Sequence, residues 1–482
     1  MNITQRRRVL GFGLLLAALA VWPTGSAFAQ FGGFGGGGFG GGGFGGGGFG
    51  GGGFGGGQNA GVEVDADGVL RMKVVKDPRG RLLREKFLAA RRALKPEVTK
   101  PSMLRKISLN RLERAIAKRL ANGEAPTEEM NYLAGLLRVQ YVFFYPETND
   151  IVIAGPAEGF APDLTGRVRG LTSGRAVIAL EDLVVALRAF PPAGNPTRLV
   201  GCSIDPTTEG LQRLQKFLNS VGSRITPAQT ARLVATMKQT LGPHVVTVQG
   251  VSPKTHFAQV LVEADYRMKL IGIGLEQPPV KMKSYVDRAS GGGSNAMTRW
   301  WFVPDYEMVR VSHDETAMAL VGWGVKLVGE EERVTADGQI HAARRGNRAS
   351  QAWCAEFTKL YPKIADREPV FAQLRNLIDL AVIAAFIQQQ DFYSQAHWDL
   401  GVFRDERRLP VETYEAPRQV EAAVNAIWRG NKLLTPIGGG VEMEPLRALR
   451  STNRLPDEKG EVAKARQQTR IPRLDPDQWW WD

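Results

Sequence analysis

The sequence SPKTHFAQVLVEADYRMKLIGIGL, residues 252–275, is the stretch that decides the fold. Its apolar side chains recur at helical spacing on one side of a single long helix: Phe257, Val260, Leu261, Ala264, Met268 and Ile271. Pro278 and Pro279 end the run, because proline lacks the amide hydrogen that a continuing helix needs. The pattern therefore predicts one amphipathic helix with a single apolar face.

Strands and helices alternate before this helix. The segments VQYVFFY and DIVIAG flank the turn PETND and predict a β-hairpin that starts at Val139. RLVGCSID predicts a strand followed by a helix that opens at Asp205-Pro206, and TPAQTARLVATMKQTLG and HVVTVQG predict a further helix and strand. Residues 139–250 are therefore expected to form a mixed α/β domain.

Short strands and two helices are predicted after the long helix. RWWFVP, MVRVS, TAMALVG and GVKLVGEEERV have the composition of an antiparallel meander, and residues 348–390 return to helical spacing. We expect a second domain over residues 251–431 and an irregular tail over 432–482, which is rich in Gly, Pro and Arg. The predicted fold class is mixed α+β, with amphipathic helices and short, mainly antiparallel sheets.

The amino-terminal residues 1–29 have the three parts of an export signal. Three arginines at residues 6–8 precede an apolar run over residues 9–22, and an A-x-A site predicts cleavage between Ala29 and Gln30. The alternative is a retained membrane anchor, but the run is shorter than the ~20 apolar residues of a membrane span. We expect an exported protein, in the periplasm, at the cell surface or outside the cell, with no transmembrane span after cleavage.

Residues 30–68 are predicted to be a disordered tether. Residues 31–57 contain only phenylalanine and glycine, and glycine at this density loses too much backbone entropy on ordering to form a packed core. The alternative is that the evenly spaced rings associate with one another or with a surface. A self-associating scaffold is therefore a second possible use of this tract.

The basic charge lies in one short stretch. Residues 71–119 hold 17 Lys and Arg against 4 Asp and Glu, a net charge of +13, which equals that of the whole chain. The stretch belongs to a predicted basic helical segment, residues 69–138, with helices expected to start at about Leu82, at Ser108 and at Thr127. The candidate ligand-binding residues are Arg81, Arg84, Arg91, Arg92, Arg105, Lys106, Arg111, Arg114, Lys118 and Arg119.

Such a stretch attracts polyanions, and an exported protein would meet an anionic envelope polymer or lipid surface. A specific nucleic-acid partner is disfavoured, because Phe87 is the only aromatic residue of the stretch that could stack on a base. The alternative is a solvated face whose arginine stems cover apolar surface.

Catalytic and metal-binding candidates are few. His256 and Glu263 share one face of the long helix, and Asp265 lies further round it. A His and a carboxylate on one face could act as a general base or as two metal ligands. The alternative is an exposed helix face with a Glu263–Arg267 ion pair. His313, Asp314 and Glu315 sit at a predicted turn, where they could hold a cation or simply solvate the chain reversal. No H-E-x-x-H, G-x-S-x-G or phosphate-loop motif occurs, and no cofactor is expected.

Two further groups of residues leave alternatives open. Cys202 and Cys354 could form a disulfide in an oxidising compartment or remain separate buried thiols. Trp479, Trp480 and Trp481 form a large apolar surface that either docks on the core or engages a partner, including another copy of the chain.

VEADYRMKLIGIGLE, the later RWWF and the helix at residues 377–387 resemble a family of exported planctomycete proteins known only as a domain of unknown function. Members of that family often have Gly-Phe-rich amino-terminal tracts like this one. The resemblance covers roughly residues 200–440 and implies export from a bacterial cell. It implies no substrate, cofactor or catalytic residue.

The sequence thus favours an exported binding module for an anionic cell-surface component. The alternatives are an envelope hydrolase with a carboxylate-based site and a self-associating scaffold. A cleft with a His-carboxylate pair would favour the hydrolase, whereas a flat basic face would favour binding.

Overall fold

The computed structural model describes residues 61–221, 227–288, 296–334, 340–342, 348–425, 438–469, 471, 474, 475 and 477–482. The predicted signal sequence, its cleavage between Ala29 and Gln30, and the Phe-Gly tract lie outside these residues. All of the described residues belong to one compact unit.

Helices and short strands follow one another along the whole described chain. The strands are β1 (Val62–Val64), β2 (Leu70–Met72), β3 (Ser102–Ser108), β4 (Tyr141–Tyr145), β5 (Asp150–Ala157), β6 (Phe160–Pro162), β7 (Val168–Gly170), β8 (Val200–Asp205), β9 (His244–Gln249), β10 (Ala296–Pro304), β11 (Val309–Val311), β12 (Ala317–Leu320), β13 (Val325–Val334), β14 (Ile340–Ala342), β15 (Gln419–Val420), β16 (Gly438–Met443), β17 (Leu455–Pro456) and β18 (Trp480–Trp481). The α-helices are α1 (Arg81–Ala93), α2 (Pro96–Thr99), α3 (Leu109–Ala121), α4 (Glu128–Asn131), α5 (Leu180–Ala189), α6 (Thr208–Val221), α7 (Thr230–Leu241), α8 (His256–Gly272), α9 (Tyr285–Arg288), α10 (Arg348–Arg367), α11 (Pro369–Gln389), α12 (Phe392–Gln395), α13 (Pro445–Ala448) and α14 (Glu461–Gln468). The predicted α+β class is confirmed.

Sheet I contains seven strands in the order β14-β13-β10-β16-β8-β9-β15, of which only the β10–β16 pair is parallel. Its central strand β16 begins with three glycines. A Cβ atom on Gly439 would lie 1.9 Å from the carbonyl oxygen of Trp300 in β10, and one on Gly440 would lie 1.9 Å from that of Cys202 in β8. Only glycine lets the three backbones approach this closely.

Sheet II also contains seven strands, in the order β17-β11-β12-β4-β5-β3-β18. The predicted hairpin is confirmed as β4 and β5, with Tyr141 opposite Ala154 and Tyr145 opposite Asp150. The predicted start of a helix at Ser108 is also confirmed, because the Ser108 hydroxyl accepts a hydrogen bond from the amide of Arg111 at the first turn of α3.

Helix α8 crosses the core between sheet I and the helices α5 and α11. Its N-cap is Thr255, whose side chain accepts a hydrogen bond from the amide of Ala258. Every residue of α8 except Arg267 is buried, so the expectation of an amphipathic helix with one solvent face is wrong. The polar residues of α8 are covered by other elements instead, and they are therefore matched to partners within the core.

Helix α11 is long and apolar enough to cross a membrane, and its apolar window is fully buried inside the protein. Residues 370–387 are all buried, which is the environment of a core helix. No other helix among the described residues has that length and composition. The prediction that residues 348–390 return to helix is confirmed by α10 and α11.

The structure corrects several predicted boundaries. Both large sheets take strands from each side of residue 250, so residues 139–250 and 251–431 form one compact unit rather than two domains. The predicted meander is divided, because β10 and β13 belong to sheet I whereas β11 and β12 belong to sheet II. These pairings join residues far apart in sequence, which local patterns do not reveal.

The segments at both ends are also more regular than expected. The end of the predicted tether, 30–68, contains β1, which pairs with β2 just beyond it. The predicted irregular tail, 432–482, contains β16, α13, β17, α14 and β18. The basic segment 69–138 is interrupted by β3, and the helix expected to start at Thr127 ends at Asn131. Leu133 and Ala134 adopt positive φ angles there, which turns the chain toward β4.

Candidate functional site

A strip of polar side chains follows one side of α8 from the core to the surface. It begins at His256, whose Nδ1 lies 2.9 Å from both carboxylate oxygens of Asp182 in α5. His256 Nε2 lies 3.4 Å from the side-chain nitrogen of Gln373 in α11. Rotating this amide by 180° places its oxygen at the ring instead, so that an imidazolium would have an acceptor at each nitrogen.

A protonated imidazole is the form that the surroundings favour. Burial lowers the pKa of His256, but the charges of Asp182 and Glu181 and the hydrogen bond to Asp182 outweigh it and raise this pKa to about 9. Arg167 acts in the opposite sense. His256 is therefore positively charged at neutral pH and pairs with a buried carboxylate.

Glu181 lies in the same buried cluster. The hydroxyl of Tyr414 donates to its Oε1 at 2.9 Å. Burial raises the pKa of Glu181 to about 7, against the effect of the charge on His256. The cluster thus holds two neighbouring carboxyl groups and one imidazole, which together can gain or lose a proton near neutral pH.

Glu263 lies seven residues, or about two helical turns, beyond His256 on α8. Its carboxylate pairs with Arg167, and its Oε1 lies 3.6 Å from Nη1 of Arg267. The predicted ion pair with Arg267 is confirmed. The predicted exposure is wrong, because only 2% of the Glu263 side chain is accessible.

Glu263 and Arg267 form part of the wall of an open cleft of about 510 Å³. The other lining residues are Met72, Lys73, Val74, Asp163, Thr165, Arg167, Arg169, Leu270, Leu275, Glu276, Arg367, Glu368 and Pro369. Arg267 also donates to Glu276 and to Glu368, at 2.6 and 2.7 Å. Carboxylates and guanidinium groups on this wall neutralise one another, and neither His256 nor Asp182 is among the lining residues.

Asp265 does not join His256 and Glu263. It lies on the side of α8 that faces sheet I, where its Oδ2 accepts from Lys269 Nζ at 2.7 Å. Lys269 also donates to the carbonyl oxygens of Ile204 in β8 and Gly439 in β16. Burial raises the pKa of Asp265 to about 6, against the charge of Lys269. This buried pair fastens α8 to the centre of sheet I.

The turn at His313, Asp314 and Glu315 does not assemble a metal site. Asp314 accepts hydrogen bonds from the Ser312 hydroxyl at 2.6 Å and from the Thr316 amide at 3.2 Å, and Glu315 pairs with Arg454. Across the described part of the chain, no three His, Cys, Asp or Glu side chains lie close enough together to hold a metal ion.

The predicted basic residues divide into a structural group and an exposed group. Arg105 is fully buried, donates to the carbonyl oxygens of Val98 and Ala134, and pairs with Asp482. Arg111 pairs with the buried carboxylate of Asp150. Lys106 and Arg119 are half-buried, and Arg119 pairs with Glu124. The exposed group consists of Arg81, Arg84, Arg91 and Arg92 on α1 and Arg114 and Lys118 on α3.

Helix α1 lies on the surface with no buried residue. Leu83, Phe87 and Ala90 recur at helical spacing and are half-buried on its inner side, which contacts β6. We call the exposed part of residues 72–92, namely α1 and the segment before it, the basic surface. Residues 72–92 hold eight Lys and Arg against two acidic residues, and of these Lys73 and Asp77 are half-buried.

The two cysteines are buried in the fold, and two of the terminal tryptophans form a strand of sheet II. Cys202 and Cys354 are free and buried, in β8 and in α10, so the possible disulfide is not formed. Trp480 and Trp481 form β18 at the edge of sheet II, opposite β3. Of the alternatives for the tryptophans, docking on the core is the one that the structure shows.

Sequence reasoning missed Glu181, Asp182 and Tyr414. The acidic pair opens α5, where carboxylates are common because they favour the positive end of a helix. No local pattern connects them to His256, since Asp182 lies 74 residues away in the chain.

The fold and the polar strip define a mixed α+β protein with a buried His-carboxylate cluster. Residues 202–285, from β8 to α9, match the family model described as "Protein of unknown function (DUF1598)". This match confirms the expected domain of unknown function over the first part of the region in which the resemblance was found. No curated protein and no solved structure matches the chain.

Proposed function

We propose that the protein is an exported binding module that attaches to an anionic component of the cell envelope through the basic surface. The observation that carries the proposal is the position of α1, which keeps its cations on the solvent side although the helix is fixed in place. Lys86 Nζ donates to the carbonyl oxygen of Asp163 at 3.0 Å, and Arg91 donates to the Thr172 hydroxyl at 3.5 Å.

Few acidic groups offset these charges. Glu85 is the single acidic residue of α1, and it lies 3.8 Å from Arg81 in a pair that is mostly exposed. An exposed pair of this kind contributes little energy and leaves Arg81 available to a partner. Arg84 donates to the backbone oxygens of Arg79 and Gly80, which hold the guanidinium near the surface without cancelling its charge.

The experiment compares residues 58–482 with a charge variant, Arg81→Gln, Arg84→Gln and Arg92→Gln, for retention on an anionic polymer over a salt series. Each cation near an anionic surface contributes about 1 kcal/mol, so the triple variant should bind on the order of a hundredfold more weakly at low salt. The matched control neutralises three exposed arginines elsewhere, Arg404, Arg407 and Arg408. Equal retention of the charge variant and the wild type would refute the proposal.

An envelope hydrolase is the second candidate. The feature that favours it is Glu263, which lines the cleft on the same side of α8 as the His256–Asp182 pair. The proposal of binding is preferred because the imidazole is enclosed in the core, out of reach of a polymer. The test measures the release of soluble fragments from purified envelope material by the wild type and by Glu263→Gln. Release by the wild type that is absent in Glu263→Gln would favour the hydrolase.

A further inference from the structure

Large apolar side chains are exposed within the basic surface. Of the described residues, ten large apolar side chains are exposed, and half of them lie within residues 72–88: Met72, Val74, Val75, Leu82 and Leu88. Val74 is 82% exposed and Leu88 is 56% exposed. The other five are spread over residues 103–328. A concentration of this kind marks an interaction surface.

We infer that the basic surface docks on an anionic lipid bilayer. The aliphatic side chains enter the boundary between the headgroups and the acyl chains, while the neighbouring cations contact lipid phosphates. This inference rests on the proposed function and adds to it the chemistry of the partner. A soluble anionic polymer would satisfy the cations but would leave the aliphatic side chains in water.

The arrangement on α1 suits a helix that lies parallel to a membrane surface. At 100° per residue, Leu82 and Leu88 flank the outward strip that carries Arg81, Glu85 and Arg92. The inner side of α1 packs against β6, so both leucines face away from the protein on either flank of that strip. Apolar and cationic side chains therefore reach the same plane.

The segment before α1 adds exposed apolar and cationic side chains. Val74 and Val75 are exposed next to Lys76, and Arg79 follows before the helix begins. The acidic side chain of this segment, Asp77, accepts a hydrogen bond from the amide of Leu83 at 3.1 Å, which holds it at the first turn of α1. The partner that matches this surface carries negative charge and has an apolar layer beneath it.

The experiment measures sedimentation with vesicles of phosphatidylglycerol and phosphatidylcholine, with phosphatidylcholine vesicles alone, and retention on dextran sulfate. Variants are made in the full chain and in residues 58–482, since the apolar run at residues 9–22 could itself enter a bilayer. The aliphatic variant is Val74→Ser, Leu82→Ser and Leu88→Ser. Its matched control is Met103→Ser with Val245→Ser, at side chains that are exposed elsewhere.

The aliphatic variant should bind anionic vesicles at least about tenfold more weakly, because each buried methylene group contributes to membrane affinity. It should bind dextran sulfate like the wild type, and the control variant should behave like the wild type in every arm. Leu88→Trp should show a blue shift of tryptophan emission on anionic vesicles, as expected when an indole leaves water.

Two failures can be told apart. If the aliphatic variant binds anionic vesicles like the wild type, the lipid inference is wrong, while the loss of binding in the charge variant still supports the proposed function. If the charge variant binds both anionic vesicles and dextran sulfate like the wild type, the proposed function is wrong as well. A thermal melt that matches that of the wild type establishes that each variant is folded.

Discussion

Replacing Asp182 by asparagine should make the stability of the protein less dependent on pH. In the wild type, the Asp182 carboxylate is the main partner that raises the pKa of His256 to about 9, from an ordinary value of 6.5. A raised pKa means that the folded state binds a proton more tightly than the unfolded chain. The resulting stabilisation is complete below pH 6.5 and is lost as the pH rises through 9.

The size of the effect follows from the shift. A difference of 2.5 between the two pKa values corresponds to about 3 kcal/mol of unfolding free energy below pH 6.5. The same relation leaves about 2 kcal/mol at pH 7.5 and less than about 1 kcal/mol at pH 9. The side chains of His256 and Asp182 are more than nine-tenths buried, so screening of their interaction by solvent is small.

Urea unfolding of the wild type and of Asp182→Asn between pH 6 and pH 9 measures this difference. The control is Asp379→Asn, which breaks the buried pair with Arg138, in which Oδ2 and Nε lie 2.7 Å apart. Arginine stays charged throughout this range, so the destabilisation of the control should not vary with pH. If the penalty of Asp182→Asn is also constant from pH 6 to pH 9, the reasoning about His256 is wrong.

Three further predictions follow from buried contacts. Gly272→Ala should destabilise the protein by about 1–3 kcal/mol in urea unfolding, because the new Cβ would lie 2.1 Å from the ring of Trp300. An unchanged midpoint would contradict this prediction and would show that the helix can shift away. Arg105→Gln should cost about 1–3 kcal/mol in the same assay, since it leaves the carbonyl oxygens of Val98 and Ala134 without their buried donor, and an unchanged midpoint would contradict this role. Cys202 and Cys354 should react with a thiol reagent only after denaturation, because burial raises the pKa of both thiols. Fast labelling of the native protein would contradict their buried positions.

The features that were predictable from the sequence are local ones. The cap at Ser108 needs only the residues that follow it, and the hairpin of β4 and β5 needs two strand patterns and one turn. The pair of Glu263 and Arg267 follows from a separation of four residues on one helix. In each of these features the physical cause lies within a few residues of its effect.

The features that were missed depend on contacts between distant segments. Glu263 meets Arg167, which lies 96 residues earlier in the chain, and this contact turns an expected surface carboxylate into a buried one. Trp480 and Trp481 close the edge of sheet II by pairing with β3, which lies more than 370 residues earlier. Helical spacing alone also could not show that α8 is covered on all sides.

The place of β16 in sheet I has a consequence for the biogenesis of the protein. Among the described strands, β8 and β10 do not pair with each other, and β16 joins them, although its residues follow β10 by more than 130 positions. A nascent chain that has reached β14 therefore holds two separate half-sheets, β8–β9 and β10–β13–β14, whose facing edges are unpaired, and unpaired strand edges are sites of aggregation. Sheet I can be completed only after β16 has been synthesised, so these edges stay open until the glycine-rich strand is available to pair with both half-sheets.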